Sequence, residues 1–158
     1  MKTNTISVLV ENHFGVLTRI TSLFAGRGYN IQSLTVGPTE DASASRMTIV
    51  VDGDTEIIDQ VKKQLNKLID VIKVVDLTNE DFIDRELLLI KVSAKGKTRF
   101  SVLQFAQVFD GSIVDITPNF ITIEVSARSS KIDAFIALLE PFGIKEMART
   151  GRIALARS

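Results

Sequence analysis

The sequence predicts an α+β protein in which one unit, strand-helix-strand-strand-helix-strand, occurs twice. Segments with apolar residues at every second position alternate with segments whose apolar residues recur at helical spacing. The order of these segments along residues 1–77 returns along residues 85–158, after a polar connector at 78–84. The length of 158 residues fits one domain or two small ones, and hydrophobic residues make up 45%, which is enough to fill a core. This pattern is typical of a twice-repeated ferredoxin-like fold, with each antiparallel sheet covered by two helices on one face.

The first unit begins with an alternating strand and an amphipathic helix. Gly28 follows that helix and is typical of a C-terminal cap. Asp52-Gly53-Asp54 predicts a turn and the start of the second helix. The predicted elements are a strand at 6–10, a helix from 16, strands at 31–36 and 45–51, a helix around 57–65 and a strand at 71–76.

The second unit repeats this order. Its first strand is apolar on both faces, which predicts a central position in its sheet. Ser130 and Asp133 form the spacing of a capping box at the start of the last helix. The predicted elements are strands at 87–92, 113–116, 120–125 and 144–148, helices around 102–109 and 132–139, and an extra edge strand at 152–156.

Composition excludes several classes of function. There is no cysteine, so disulfides, thiolate metal sites and cysteine nucleophiles are excluded. His13 is the one histidine, so a multi-histidine metal site is excluded. The carboxylates are scattered without a spaced acid–base pair, so no catalytic role is expected. No apolar run approaches a membrane span of about 18 residues, and we expect a cytoplasmic protein without membrane contact.

Nucleic-acid and nucleotide binding are disfavoured. Residues 1–78 hold 8 basic and 9 acidic side chains and residues 79–158 hold 11 and 10, so neither half has a basic excess. The predicted central strands lack the aromatic residues on which RNA bases stack. Lys95-Gly96-Lys97-Thr98 resembles the end of a P-loop, but Lys91 stands where the first glycine of that motif is needed.

The segment 11–17 lies between the first strand and the first helix and suits a small zwitterion. Backbone N–H groups at a helix start lack intrahelical partners and carry partial positive charge. Gly15 has no Cβ, so a ligand carboxylate can approach them closely. The Asn12 amide oxygen would accept a hydrogen bond from an ammonium group. The simpler interpretation is that Asn12 only caps the helix and Gly15 only eases a turn.

Three stretches together resemble a known family. They are Asn12-His13-Phe14-Gly15-Val16-Leu17, Arg27-Gly28-Tyr29-Asn30-Ile31-Gln32-Ser33-Leu34-Thr35-Val36 and Ser45-Arg46-Met47-Thr48-Ile49. They closely resemble the ACT-domain regulatory (small) subunits of acetohydroxyacid synthase, also called acetolactate synthase. Segments at 85–92, 115–118 and 148–151 are similar to the C-terminal domain of that family, so the resemblance covers the whole chain. It implies an ACT domain at 1–77 for amino-acid sensing and a ferredoxin-like domain at 85–158.

The resemblance also implies a function and partners. Members bind a thiamin-diphosphate-dependent catalytic subunit, raise its activity and confer feedback inhibition by valine. Thiamin diphosphate, Mg and FAD are expected on that catalytic subunit, and no cofactor is expected on this chain. The alternative is a stand-alone ACT sensor acting on another biosynthetic enzyme.

The effector site implied by the resemblance lies between two copies of the chain. One copy supplies the loop and the other supplies the start of its second strand, so a homodimer is expected. The predicted valine-binding residues are Asn12, His13, Phe14, Gly15, Val16 and Leu17 from one copy, with Asn30 and Ile31 from the other.

Overall fold

The computed structural model describes residues 2–158, and the chain divides into two compact units. The first comprises the chain up to Ile83 together with Arg152–Ser158, and the second comprises Asp84–Gly151. None of the helices in residues 2–158 combines the length and the apolar character needed to cross a bilayer.

The first unit contains one four-stranded antiparallel sheet with strand order β2-β3-β1-β4. Asp54 caps its second helix by accepting a hydrogen bond from the Ile57 N–H, and Gly28 ends its first helix in a left-handed conformation, as the sequence predicts. The elements are β1 (Thr3–Glu11), α1 (Val16–Arg27), β2 (Asn30–Pro38), β3 (Ala44–Asp52), α2 (Thr55–Asn66) and β4 (Val71–Asp76).

Both helices of the first unit pack on one face of this sheet. The two central strands, β1 and β3, turn alternate side chains toward the helices. Fully buried Phe24 on α1 also contacts Tyr29 edge to face, with ring centroids 6.1 Å apart. The core comprises Ile6, Val8, Val10, Val16, Ile20, Phe24, Met47, Ile49, Val51, Ile58, Val61 and Leu65.

The second unit repeats the arrangement with strand order β6-β7-β5-β8. Its elements are β5 (Phe82–Ser93), α3 (Thr98–Val108), β6 (Ser112–Ile116), β7 (Phe120–Ala127), α4 (Ser129–Leu139), a 3-10 turn (Glu140–Phe142) and β8 (Ile144–Arg149). A last strand, β9 (Ile153–Ala156), pairs with β5. The predicted α+β class of two ferredoxin-like units is confirmed, including the central position of β5.

A buried carboxylate ties three elements of the second unit together. Glu86 on β5 accepts hydrogen bonds from Arg149 Nε at 2.5 Å and from Ser129 Oγ at 2.8 Å. Arg149 also donates to Asp133 Oδ1 at 2.8 Å. The hydrogen bond to Glu86 is the main cause that raises the pKa of Arg149. The predicted capping box is therefore wrong: α4 begins at Ser129 without a side-chain cap, and Asp133 pairs with Arg149 instead.

The structure differs from the predicted ranges at the ends of the second unit. Residues 82–84, assigned to the connector 78–84, are the first residues of β5, because apolar Phe82 and Ile83 extend the strand. Residues 152–158, included in the predicted range 85–158, lie with the first unit. Arg152 Nη1 donates to Thr5 Oγ1 at 2.7 Å, and the Arg157 N–H donates to the Asp81 carbonyl.

Candidate functional site

The start of α1 is uncapped. Gly15 precedes the helix with a φ of 84°, a left-handed conformation that residues with a side chain disfavour. No side chain in the described part of the chain caps the helix. The Arg19 N–H donates to the Gly15 carbonyl at 3.1 Å. Within residues 2–158, the N–H groups of Leu17 and Thr18 have no acceptor. The start of α1 therefore keeps backbone donors without partners, which is the feature on which the predicted effector site depends.

Asn12 is held by the neighbouring loop and does not cap α1. Its N–H donates to the Ser43 carbonyl at 2.8 Å and its Nδ2 donates to the Ala42 carbonyl at 3.3 Å. Among the described residues, Oδ1 has no hydrogen-bond donor. The simpler interpretation of Asn12 as a helix cap is wrong, and its carbonyl oxygen is available to an ammonium group.

The loop that holds Asn12 is itself stiffened by Asp41. Ser43 Oγ and the Ser43 N–H donate to Asp41 Oδ1 at 2.6 and 2.9 Å. These two hydrogen bonds, the hydroxyl one first, lower the pKa of Asp41. The Ala42 and Ser43 carbonyls are thereby fixed in the direction of Asn12.

The other predicted loop residues play unequal parts. Phe14 is completely exposed and Leu17 is 44% exposed, so both offer apolar surface to a ligand or a second copy. The Val16 side chain lies in the core, and only its backbone faces the loop. His13 Nε2 lies 2.7 Å from Glu11 Oε2.

An ion-pair cluster lies beside this loop. The carboxylate of Asp70, with 6% of the side chain exposed, accepts a hydrogen bond from Arg19 Nε at 2.6 Å and lies 3.8 Å from His13 Nδ1. Ligand atoms of Glu11, His13 and Asp70 come within 4.8 Å of one another, a spacing that suits a metal ion. The Arg19 guanidinium already forms an ion pair with the Asp70 carboxylate. Its positive charge would repel a metal ion bound at the same carboxylate.

The remaining predicted residues lie at the opposite end of the sheet. Asn30 Nδ2 donates to Asp52 Oδ2 at 2.7 Å, and half-buried Ile31 packs on the core. An open pocket of about 480 Å³ adjoins Asn30. Its lining comprises Lys2, Gly28, Tyr29, Asn30, Asp52, Gly53, Asp54 and Ile57.

One copy of the chain cannot bring the two halves of the predicted site together. Asn30 pairs with Asp52, which pairs with Thr3 at the start of β1, whereas the Asn12 loop follows Glu11 at the end of β1. At 3.4 Å per residue, these ends of β1 lie about 27 Å apart. A site containing both asparagines therefore requires a second copy.

Arg19 and Asp70 were missed by the sequence-based prediction. A residue four positions along a helix lies on the same face, one turn on, which places Arg19 over Gly15. Asp70 directly precedes β4, and β4 runs antiparallel to β1 with Val71 opposite Val10. The first signal can be read from the predicted helix, whereas the second becomes visible only when the pairing of β4 with β1 is known.

Comparison with known proteins agrees with this architecture. Residues 6–73 match the model of the AHAS small subunit-like ACT domain, and residues 85–158 match the model of the small subunit of acetolactate synthase. The acetolactate synthase small subunit of Aquifex aeolicus is 52% identical over 153 residues, covering 96% of this chain and 80% of the relative. The probable acetolactate synthase small subunit of Methanothermobacter thermautotrophicus is 49% identical, covering 98% and 93%.

A solved structure is similar over its entire length. The crystal structure of the acetolactate synthase small subunit from Thermotoga maritima superposes with a TM-score of 0.89 at 38% identity, covering 100% of this chain and 99% of that one. Both units, and therefore the whole chain, are matched by proteins of one kind. The chain belongs to the family of acetolactate synthase small subunits.

Proposed function

We propose that this chain binds valine, activates the catalytic subunit of acetolactate synthase and makes that subunit subject to feedback inhibition. Family membership makes it a regulatory small subunit with a large catalytic partner. The single observation that carries the effector assignment is the uncapped start of α1 at Gly15, beside the unpaired Oδ1 of Asn12. A ligand carboxylate would accept hydrogen bonds from the N–H groups at the start of α1, and a ligand ammonium would donate to Asn12 Oδ1.

The effector site is proposed to lie between two copies of the chain. β2 is an edge strand of its sheet. Antiparallel pairing with β2 of a second copy would bring Asn30 of the partner subunit toward the end that carries Pro38. That end of the sheet also carries the Asn12 loop, because Pro38 pairs with Ser45 and the adjacent Ala44 pairs with Glu11. A two-fold dimer of this kind contains two equivalent sites.

The branched side chain of valine would then contact apolar surface from both copies, with Phe14 and Leu17 on one side and Ile31 of the partner subunit on the other. This chain is proposed to carry no cofactor of its own. Thiamin diphosphate, Mg and FAD belong, on this proposal, to the catalytic subunit.

The proposal is tested by acetolactate formation. The matching catalytic subunit is assayed alone, with this chain, and with this chain plus valine, and the chain alone is the control. We expect no activity from the chain alone, an increase on mixing, and a decrease of that activity with valine.

Two other outcomes would contradict the proposal. Valine binding to the pure chain without any effect on the catalytic subunit would favour the stand-alone sensor. Acetolactate formation by the pure chain would make it an enzyme.

A further inference from the structure

Arg19 lies directly over the start of α1. Its backbone N–H donates to the Gly15 carbonyl, which places it one turn into the helix. A methyl group added at the Gly15 α-carbon would lie 3.3 Å from Arg19 Nη1. The guanidinium is therefore close to the point where the unpaired helix donors emerge.

Buried Asp70 fixes the direction of this guanidinium. Its Oδ2 accepts from Nε at 2.6 Å, and its backbone carbonyl accepts from the Glu11 N–H at 2.8 Å. Within the described part of the chain, Nε to Asp70 is the one polar contact of the Arg19 guanidinium. Among residues 2–158 neither terminal nitrogen has a hydrogen-bond partner, and about half of the side chain is exposed.

We propose that Arg19 binds the carboxylate of the amino-acid effector and so selects ligands with a free α-carboxyl group. This inference rests on the proposed function and adds a binding residue to the same site. A carboxylate beside Gly15 meets the N–H groups of Leu17 and Thr18 together with a guanidinium, and such charge-assisted hydrogen bonds are the strong ones. The ammonium group is repelled by Arg19 and directed toward Asn12, so the guanidinium also orients the ligand.

The test compares valine with valinamide, which keeps the ammonium and the side chain but lacks the carboxylate charge. Binding of each ligand to the full-length chain is measured by titration calorimetry. Arg19→Met should weaken valine binding about ten- to hundredfold. It should leave valinamide binding nearly unchanged, so that the variant no longer prefers valine. Arg27→Met, at the exposed end of the same helix, is the matched control and should bind both ligands as the parent does.

A second variant guards against misfolding, because Arg19→Met leaves the buried Asp70 carboxylate without its partner. Asp70→Asn removes that charge, and Arg19→Met is introduced into this background. The Asp70→Asn side chain keeps an amide oxygen that can accept from Arg19 Nε but lacks the charge that holds the guanidinium. The double variant should therefore bind valine more weakly than Asp70→Asn alone, by no more than the ten- to hundredfold expected in the parent background.

The outcomes separate this inference from the proposed function. A parent chain that binds no valine contradicts both. A parent that binds valine while Arg19→Met retains its affinity, in either background, contradicts the role of Arg19 alone. Equal losses for valine and valinamide would also overturn it, because a merely structural role affects both ligands.

Discussion

At the scale of the residue, two features of the structure favour glycine at position 15. Its φ of 84° lies in the left-handed region, which costs other residues about 1–2 kcal/mol. Any Cβ there would also point toward Arg19 Nη1. A proposed ligand carboxylate and a side chain at position 15 thus compete for the same space.

Gly15→Asp should therefore abolish the valine response and preserve activation. The new carboxylate occupies the position proposed for the ligand carboxylate and repels it. Valine affinity, measured by calorimetry, should fall at least about tenfold, and the catalytic subunit should stay active in the presence of valine. Gly96→Asp is the matched control, because Gly96 also has a positive φ of 57° and lies in the second unit. Normal valine inhibition of the Gly15 variant, or an equal loss in the control, would count against the site.

At the scale of the element, the sequence predicted every helix and strand of the two sheets because each carries its own periodicity. Because each element buries one face, apolar residues alternate with polar ones along β1 and β3 and form a stripe along one side of α1. The segment 11–17 was also singled out, since it combines a glycine and an asparagine between two periodic segments. In the structure, residues 12–15 form the connection between β1 and α1.

The sequence-based predictions failed where a residue far along the chain determines which contacts a side chain makes. Ser130 and Asp133 have capping-box spacing, but Asp133 pairs with Arg149, which is 16 residues away. Asp70 and Arg19 are 51 residues apart, and no local pattern reports their ion pair. The strand at 152–156 was predicted, but the alternation of apolar and polar residues does not indicate to which of the two units a strand belongs.

The loop that supports Asn12 offers a test by titration. A lowered carboxyl pKa stabilises the folded chain above the unfolded value, and that contribution is lost as the pH falls through the folded value. Ser43→Ala removes the larger of the two causes, so the pKa of Asp41 should rise toward the ordinary value of an aspartate. It should remain below that value, because the backbone hydrogen bond persists.

Carboxyl NMR titration measures this shift directly. Glu146 is an internal control, because its pKa is lowered mainly by a hydrogen bond from Lys91 and should not change in the variant. An unchanged pKa of Asp41 would show that the Ser43 hydroxyl does not hold this loop.

At the scale of the whole molecule, the two units are similar in fold and different in chemistry. The loop before α3 is Lys95-Gly96-Lys97-Thr98, and Thr98 Oγ1 donates to the Lys95 carbonyl. This loop offers cations and no asparagine, so it lacks the combination of asparagine and glycine on which the proposed effector site of the first unit depends. We therefore expect the first unit to hold the sensor and the second unit mainly to stabilise the inhibitable assembly.

The central claim is that each valine site takes Asn12 from one copy and Asn30 from the other. Complementation between two defective variants tests it most directly. Asn12→Ala and Asn30→Ala homodimers should each bind valine about ten- to hundredfold more weakly than the parent. Asn66→Ala, an exposed position at the end of α2, is the control for an asparagine outside the site.

The two variant chains are then unfolded together, refolded as a mixture and titrated with valine. In a mixed dimer, one site carries both substitutions and the other carries neither. Random pairing should therefore restore parental affinity at about a quarter of all sites. If verified mixed dimers recover no tight valine site, the two asparagines do not meet across the dimer and the proposed site is wrong.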